Sequence, residues 1–241
     1  MIDSPCADPH HEYRHEFQAQ GFVRIRHLVT DDELAWLRDI FDAIIKRETG
    51  LAPQTLARQA GAGEPPTLIK TMAPERYVPV LSHMSFWRRA HRLVAYLLGV
   101  TDTQLRCDGR LFLKPAHSGA TPWHQDAAYR PPPHQGANIW IPLDSATLER
   151  GCMQYIAYSH REVLRPHYDR GDYLIAEGVE AASAVPCPLV PGEAVVHHFR
   201  TLHGARPNQT DVPRRAVVIV CQVVEDALDI AAGSERCNAP T

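Results

Sequence analysis

Four times in this chain a histidine stands two residues before a carboxylate: His10 with Glu12, His124 with Asp126, His160 with Glu162 and His167 with Asp169. In extended backbone, residues i and i+2 share a face, so each pair would project an imidazole and a carboxylate into one space, which is half of a metal site. Spacing does not choose among the pairs, but their surroundings do. The first pair lies in a polar, His-rich terminus and the last in the charged run HYDRGDY, where no buried strand supports it; both are expected to be solvated. The His160 pair sits at a strand end in YSHRE and is read as hydrogen-bonding. In TPWHQDAAYR, by contrast, Trp123 and Tyr129 flank His124 and Asp126 and are able to bury them.

A third ligand is named by the stretch VVHHFRTLHGARPNQTDVPRRAVVIV. His203 is read as ending one strand, GARPNQTDVP as a turn and Arg214 as opening the next strand, which would set His203 and Arg214 on neighbouring strands. Two imidazoles and one carboxylate with three positions open are the ligand set of non-haem Fe(II) sites. A thiolate zinc site is excluded, because the six cysteines are scattered and form no C-x-x-C pair. His197 and His198 compete with His203, yet no turn and basic strand follow them at the same distance; they are expected to be strand residues near the pocket. Arg215 must face away from Arg214 on a strand, so one arginine of the two enters the interior. Gln125 should face away from His124 and act on the backbone.

These residues need elements to position them. GFVRIRHLV alternates over Phe22 to Leu28 and predicts a short half-buried strand. Thr30 and Glu33 form a capping box that opens a helix from Asp31 to about Arg47, with Leu34, Leu37, Ile40, Phe41, Ile44 and Ile45 on one face. Gly50 ends it, and the unpatterned stretch from Leu51 to Pro66 predicts a loop. His83 to Leu98 predicts a second helix that turns Trp87, Ala90, Leu93, Val94 and Leu97 inward. Beyond Gly99 the pattern becomes short strands: QLRCDGRLFLKP, TPWHQDAAY, ANIWIPLD, GCMQYIAYS, GEAVVHHFR and RRAVVIVCQVV. Helices first and strands after predict an α+β chain, mainly β, whose strands form a barrel or sandwich with the helices covering one face. One domain over residues 1–241 is expected: a helical part to about residue 100, a strand-rich core over about 101–226 and a loose tail over about 229–241.

Bulk properties narrow the partners. With 25 Lys plus Arg against 28 Asp plus Glu, the formal charge of -3 supplies no field for nucleic acid or an anionic membrane. The start of the chain lacks a signal-peptide core and the run AVVIVC is too short to span a bilayer, so a cytoplasmic, reducing setting is the expectation, as monomer or homodimer.

WHQDAAY, IWIPLDSAT, GCMQYIAYSH, and HFRTLHGARPN followed by PRRA resemble the successive motifs of the phytanoyl-CoA dioxygenase family, in order from Gly21 to Val224. The resemblance implies a double-stranded β-helix, a cupin-like jelly roll with its iron at the mouth. It further implies Fe(II), 2-oxoglutarate and O2 as cofactors and cosubstrates, with His124, Asp126 and His203 as ligands. Arg214 would hold the far carboxylate of 2-oxoglutarate, a task suited to the guanidinium fork. Trp140 corresponds to a tryptophan lining that pocket, although an ordinary core aromatic fits the strand equally. Lys114 points toward the same region, while Tyr129 and Arg130, opening a loop at the mouth, are candidate substrate contacts. In this family the motif at Ser159 and His160 usually reads Ile-Pro-Gly-Ser-His; here Ala157 and Tyr158 replace the rigid turn residues. The implied reaction is oxidation of an unactivated C-H bond of a small-molecule metabolite, with hydroxylation as the default and release of succinate and CO2. An aspartate at position 126 speaks against halogenation, where a small residue admits chloride. The acyl-CoA of the family's name is not carried over, and the region from Arg161 to Ala184 and the loop before Pro66 are the expected lids. A cupin-like isomerase or hydrolase that does not use 2-oxoglutarate and a silent metal-binding domain are the alternatives.

Overall fold

The structure, a computed structural model, describes residues 9–45, 56–59, 67–130, 132, 135–171 and 173–224. Its first elements are α1 (Pro9–Gln20), β1 (Phe22–Ile25), α2 (Asp31–Ile45), β2 (Leu56–Gln59), β3 (Leu68–Met72), α3 (Val80–His83) and α4 (Ser85–Leu98). Strands then dominate: β4 (Leu105–Lys114), β5 (Thr121–His124), β6 (Gly136–Pro142), β7 (Met153–Tyr155), β8 (His167–Asp169), β9 (Leu174–Ala176), β10 (Val185–Cys187), β11 (Ala194–His198), β12 (His203–Ala205) and β13 (Arg214–Val223). They assemble into a seven-stranded sheet, β1-β11-β6-β13-β4-β3-β2, a four-stranded sheet, β10-β7-β12-β5, and the separate hairpin β8-β9. All the pairings are antiparallel, and the two larger sheets form the expected jelly roll.

Alternation along the strands of the large sheet sorts its side chains into two layers. Ala137, Ile139 and Ile141 of β6 and Val217, Ile219 and Cys221 of β13 join one buried cluster with Leu34, Leu37 and Phe41 of α2 and Phe86, Ala90 and Leu97 of α4. Trp140, Val195, Ala216, Val218 and Val220 face the small sheet instead. Each large apolar side chain fully buried in the helix layer contributes roughly 1.5–3 kcal/mol.

Local signals explain why the helices start and stop. Glu33 accepts from the Thr30 amide at 3.0 Å while its own amide donates to Thr30 Oγ1 at 3.3 Å, the expected capping box. The same Glu33 carboxylate accepts from the Phe86 amide at 2.9 Å and pairs with Arg89, tying the start of α2 to α4. Gly99 ends α4 in the left-handed region, at φ 73°.

Several expectations are corrected. The polar start around His10 and Glu12 is helical, as α1. Residues 56–59 of the expected loop form β2, paired with β3, while the rest of that loop and the end of the α2 region lie outside the described residues, as does the expected tail. The second helix breaks at Met84, whose ψ of 155° is extended, leaving α3 and α4. His203 opens β12 rather than ending a strand, and it belongs to the small sheet whereas Arg214 belongs to the large one. The intervening segment crosses between sheets, with Asn208 bridging to Ser118 and Arg150. Cys107 and Cys221 are directly opposed on β4 and β13 and form a disulfide, although 114 residues separate them. That pairing runs against the reading of scattered, reduced thiols, because only the strand register brings the two together. Among the described residues no helix is long and apolar enough to cross a membrane.

Candidate active site

β5 and β12 pair so that His124 stands opposite His203. The β5 ladder ends at His124, but Gln125 stays extended, with φ -121° and ψ 128°, before a 3-10 turn begins at Asp126. The two-residue alternation therefore carries one position past the ladder and delivers Asp126 to the same side as His124. Among the described residues, His124, Asp126 and His203 form the group whose ligand atoms all lie within 4.8 Å of one another. Nε2 of His124 is 4.0 Å from Asp126 Oδ1, and Nε2 of His203 is 3.5 Å from Oδ2.

Second contacts decide which ring nitrogens are available. His124 Nδ1 lies 2.8 Å from the Pro122 carbonyl, and His203 Nδ1 lies 2.9 Å from that of Thr201. A carbonyl only accepts, so both Nδ1 atoms carry hydrogen and both Nε2 atoms face the gap. Burial, reinforced at His124 by the neighbouring His203, pushes both imidazoles down to about 4, so their Nε2 lone pairs are free at neutral pH. At Asp126 burial acts to raise the carboxyl, but the surrounding imidazoles of His203, His197 and His124 outweigh it and hold the group well below the usual carboxylate range. Two neutral nitrogen donors and one ionised carboxylate are a donor set that suits a divalent metal.

The same cavity, about 230 Å³, extends from this cluster to Arg214, Trp140 and Met153 at one end and to Tyr129, Arg130 and Tyr173 at the other. The Arg214 guanidinium lies 4.7 Å from the Trp140 ring centre and donates to the Gly151 carbonyl, while its buried Nε has no partner among the described residues. Burial lowers this arginine to about 10. A buried, incompletely satisfied guanidinium on an aromatic floor fits a carboxylate ligand. Arg215 faces the other way as expected, held by Asp144 at 2.9 Å and Asp42 at 2.9 Å. Lys114 pairs with Arg214 across the strands, but it stands behind the cavity wall, with its Nζ donating to the Gly119 carbonyl at 2.6 Å. Burial, then the charge of Arg214, lowers Lys114 to about 7.

At the mouth, Tyr129 presents its edge to His124, with ring centres 6.1 Å apart, and its hydroxyl accepts from the Leu174 amide at 2.8 Å. Arg130 stacks over Phe199 at 4.3 Å. The β8-β9 hairpin, within the expected lid region, is fastened here. Its His167 corrects the reading as a solvated decoy: the ring is half-buried, and Nε2 accepts from the Gln125 amide at 3.2 Å, between two candidate ligands. Gln125 is fully buried and bridges Arg200 and Arg165, a backbone-positioning role that its outward direction foretold. His160 hydrogen-bonds, its Nε2 lying 3.3 Å from the Gln18 carbonyl. The altered turn beside it persists: Tyr158 takes the left-handed conformation at φ 68°, and Ser159 Oγ donates to Ile156 at 2.7 Å.

Two residues that earned little weight in the sequence stand against Asp126. Asn138 donates from Nδ2 to Asp126 Oδ2 at 2.6 Å, and His197 Nε2 lies 3.3 Å from the same oxygen. His197 was expected near the pocket; Asn138 was missed, although a lone amide in the apolar strand ANIWIP is a usable signal, since buried polar groups need partners.

Comparison with known proteins bears on this geometry. The family model for phytanoyl-CoA dioxygenase (PhyH) matches residues 17–216. A probable alpha-ketoglutarate-dependent hypophosphite dioxygenase of Stutzerimonas stutzeri is 23% identical over 222 residues, 86% of this chain and 77% of that protein. The crystal structure of EvdO2 from Micromonospora carbonacea var. aurantiaca, complexed with 2-oxoglutarate, is 37% identical, with a TM-score of 0.76 over 94% of this chain and 96% of that one. The epimerase SnoN, in complex with Fe3+, alpha-ketoglutarate and nogalamycin RO, shares the fold at 22% identity, with a TM-score of 0.74 over 90% of this chain and 85% of that one. With the match spanning most of the chain and every motif lying on the jelly-roll scaffold, this protein belongs to the phytanoyl-CoA dioxygenase family of Fe(II)- and 2-oxoglutarate-dependent oxygenases.

Proposed function

We propose that this protein oxidises an unactivated C-H bond of a small-molecule metabolite, hydroxylating it with Fe(II), O2 and 2-oxoglutarate and releasing succinate and CO2. The observation that carries the reading is the convergence of His124, Asp126 and His203 in one cavity with a buried Arg214 whose Nε has no partner among the described residues. His124 Nε2, Asp126 and His203 Nε2 would hold the iron, and Arg214 the far carboxylate of 2-oxoglutarate over Trp140. Bound iron with 2-oxoglutarate and O2 supplies the oxidising power. The chain supplies placement and exclusion of water. Nδ1 bonds to Pro122 and Thr201 carbonyls fix the imidazoles, and Phe112, Met153 and Val218 make the cavity wall apolar. Tyr129 and Arg130 line the same cavity and would touch the substrate. Lys114 lies behind Arg214 with its Nζ bonded to the Gly119 carbonyl, so its part at the cosubstrate end would be to support the wall and not to meet the carboxylate.

Anaerobic Fe(II) titration with and without 2-oxoglutarate tests this reading. A weak visible charge-transfer band in wild type, lost in His203→Ala, is the expected result, and it opens a substrate screen by succinate release. Iron binding with no such band moves the protein to a metal-dependent reaction that does not use 2-oxoglutarate. Succinate released without insertion of an oxygen atom into the product overturns hydroxylation while keeping the cosubstrate.

A further inference from the structure

The candidate ligands His124, Asp126 and His203 come from the small sheet and its following turn, yet the carboxylate of Asp126 is held from the large sheet. Asn138 on β6 and His197 on β11 are directly paired across those strands and share a face. Both reach one oxygen, Oδ2, at 2.6 Å from the amide and 3.3 Å from the imidazole. Oδ1 faces His124 Nε2 at 4.0 Å, and Oδ2 also lies 3.5 Å from His203 Nε2.

Hydrogen-bond direction orders this cluster. An ionised carboxylate accepts only, so the His197 ring presents a hydrogen on Nε2; in the tautomer with that single ring hydrogen, Nδ1 has a lone pair. The Tyr155 hydroxyl, 3.3 Å from Nδ1, is placed to donate to it. Tyr155 is fully buried and stacks on Phe22 with ring centres 4.6 Å apart, and Phe22 is itself the β1 partner of His197. Asn138 turns its amide nitrogen to Asp126 and leaves its buried Oδ1 without a partner among the described residues, so the carboxylate sets the orientation of the amide. One carboxylate oxygen offers about two lone-pair directions. Asn138 and His197 occupy both on Oδ2.

We infer that Asn138 and His197, the latter braced by Tyr155, clamp Oδ2 of Asp126 so that the carboxylate offers a metal Oδ1 alone. His197 is thus a positioning residue and not a fourth ligand, although its ring centre lies 4.3 Å from that of His203. The clamp would limit Asp126 to one coordination position, leaving the others for 2-oxoglutarate and O2. This inference rests on the proposed metal site.

Co(II) titration under anaerobic conditions, read by its visible absorption with and without 2-oxoglutarate, tests it without turnover. Asn138→Ala and His197→Leu should bind Co(II) at the wild-type stoichiometry but about 10- to 100-fold more weakly, the usual loss when a partner of a ligand is removed. Their ligand-field bands should shift as Oδ2 becomes free to coordinate. His197→Gln, whose amide can donate to Oδ2, should recover part of both. Tyr155→Phe removes one hydroxyl from an intact core and should show the same band shift in smaller degree, which serves if Asn138→Ala does not fold. Unchanged affinity and spectrum in the folded variants overturn the clamp. So does loss of Co(II) in His197→Gln as complete as in His203→Gln, which would make His197 a ligand. A wild type whose Co(II) spectrum is indifferent to His203→Gln defeats the metal site itself, a different failure from that of the clamp.

Discussion

On β13, Val217, Ile219 and Cys221 meet the helices while Arg214, Ala216, Val218 and Val220 face the small sheet. The same alternation on β6 separates Ile139 and Ile141 from Asn138 and Trp140, and on β11 separates Val196 from Val195 and His197. The helix face is apolar, close-packed and cross-linked by Cys107 and Cys221. The cavity face carries buried guanidinium, imidazole and amide groups with incomplete hydrogen bonding. One layer therefore supplies the stability that allows its mirror image to hold polar groups out of water, and substitutions on the two sides should fail differently.

The sharpest break is Asp126→Ala, which should abolish succinate formation in a protein that still melts cooperatively. Ile219→Ala, on the helix face of the large sheet, should cost about 2–5 kcal/mol in urea unfolding and leave succinate formed per folded molecule intact. If Asp126→Ala retained turnover, the division of labour between the faces would be wrong.

Arg214→Lys comes next. Replacing the fork by a point charge should raise the KM for 2-oxoglutarate on the order of 10- to 100-fold, about the 1.5–3 kcal/mol of a charge-assisted hydrogen bond, with little change in kcat. Arg215→Lys, on the helix face, should leave that KM alone. Equal effects at the two positions would contradict the strand alternation.

Lys114 sharpens the comparison through pH. Its folded-state value of about 7 lies below the ordinary 10.5, so between those values the unfolded chain binds a proton that the native chain does not. Stability should therefore rise with pH over that window, and Lys114→Met should flatten the rise. A wild-type profile already flat from pH 7 to 10 would mean that Lys114 keeps its charge when buried.

The smallest effect is expected at Tyr158, left-handed at φ 68° where the family motif places glycine. Tyr158→Gly should remove roughly 1–2 kcal/mol of backbone strain and return roughly 0.5–1 kcal/mol in chain entropy, a net gain visible as a slightly higher Tm.

Much of this was legible in the residues. The capping box at Thr30, the inward face of α4 and the strands β4, β6 and β13 follow from local period and punctuation, because each signal is satisfied within a few residues of itself. His124, Asp126 and His203 could be named as candidate ligands because motif order and the i, i+2 rule are also local. Arg214 was chosen over Arg215 on family spacing, and the alternation then required Arg215 to face the opposite side. β2, within an unpatterned stretch, and α1, within a polar terminus, gave no such period. The His167 imidazole looked solvated because its partner, the Gln125 amide, lies 42 residues away in the chain.

What the sequence by itself determined, then, is the inventory: which side chains face which side of a strand, and which of them have metal chemistry. What only the tertiary structure decided is what crosses between sheets. His203 and Arg214 sit on opposite sheets, Cys107 meets Cys221, and Asn138 and His197 reach over to a carboxylate carried by the other layer. Alternation tells a residue which way to point, whereas its partner across the cavity depends on sheet order, register and spacing, which no short window of sequence contains.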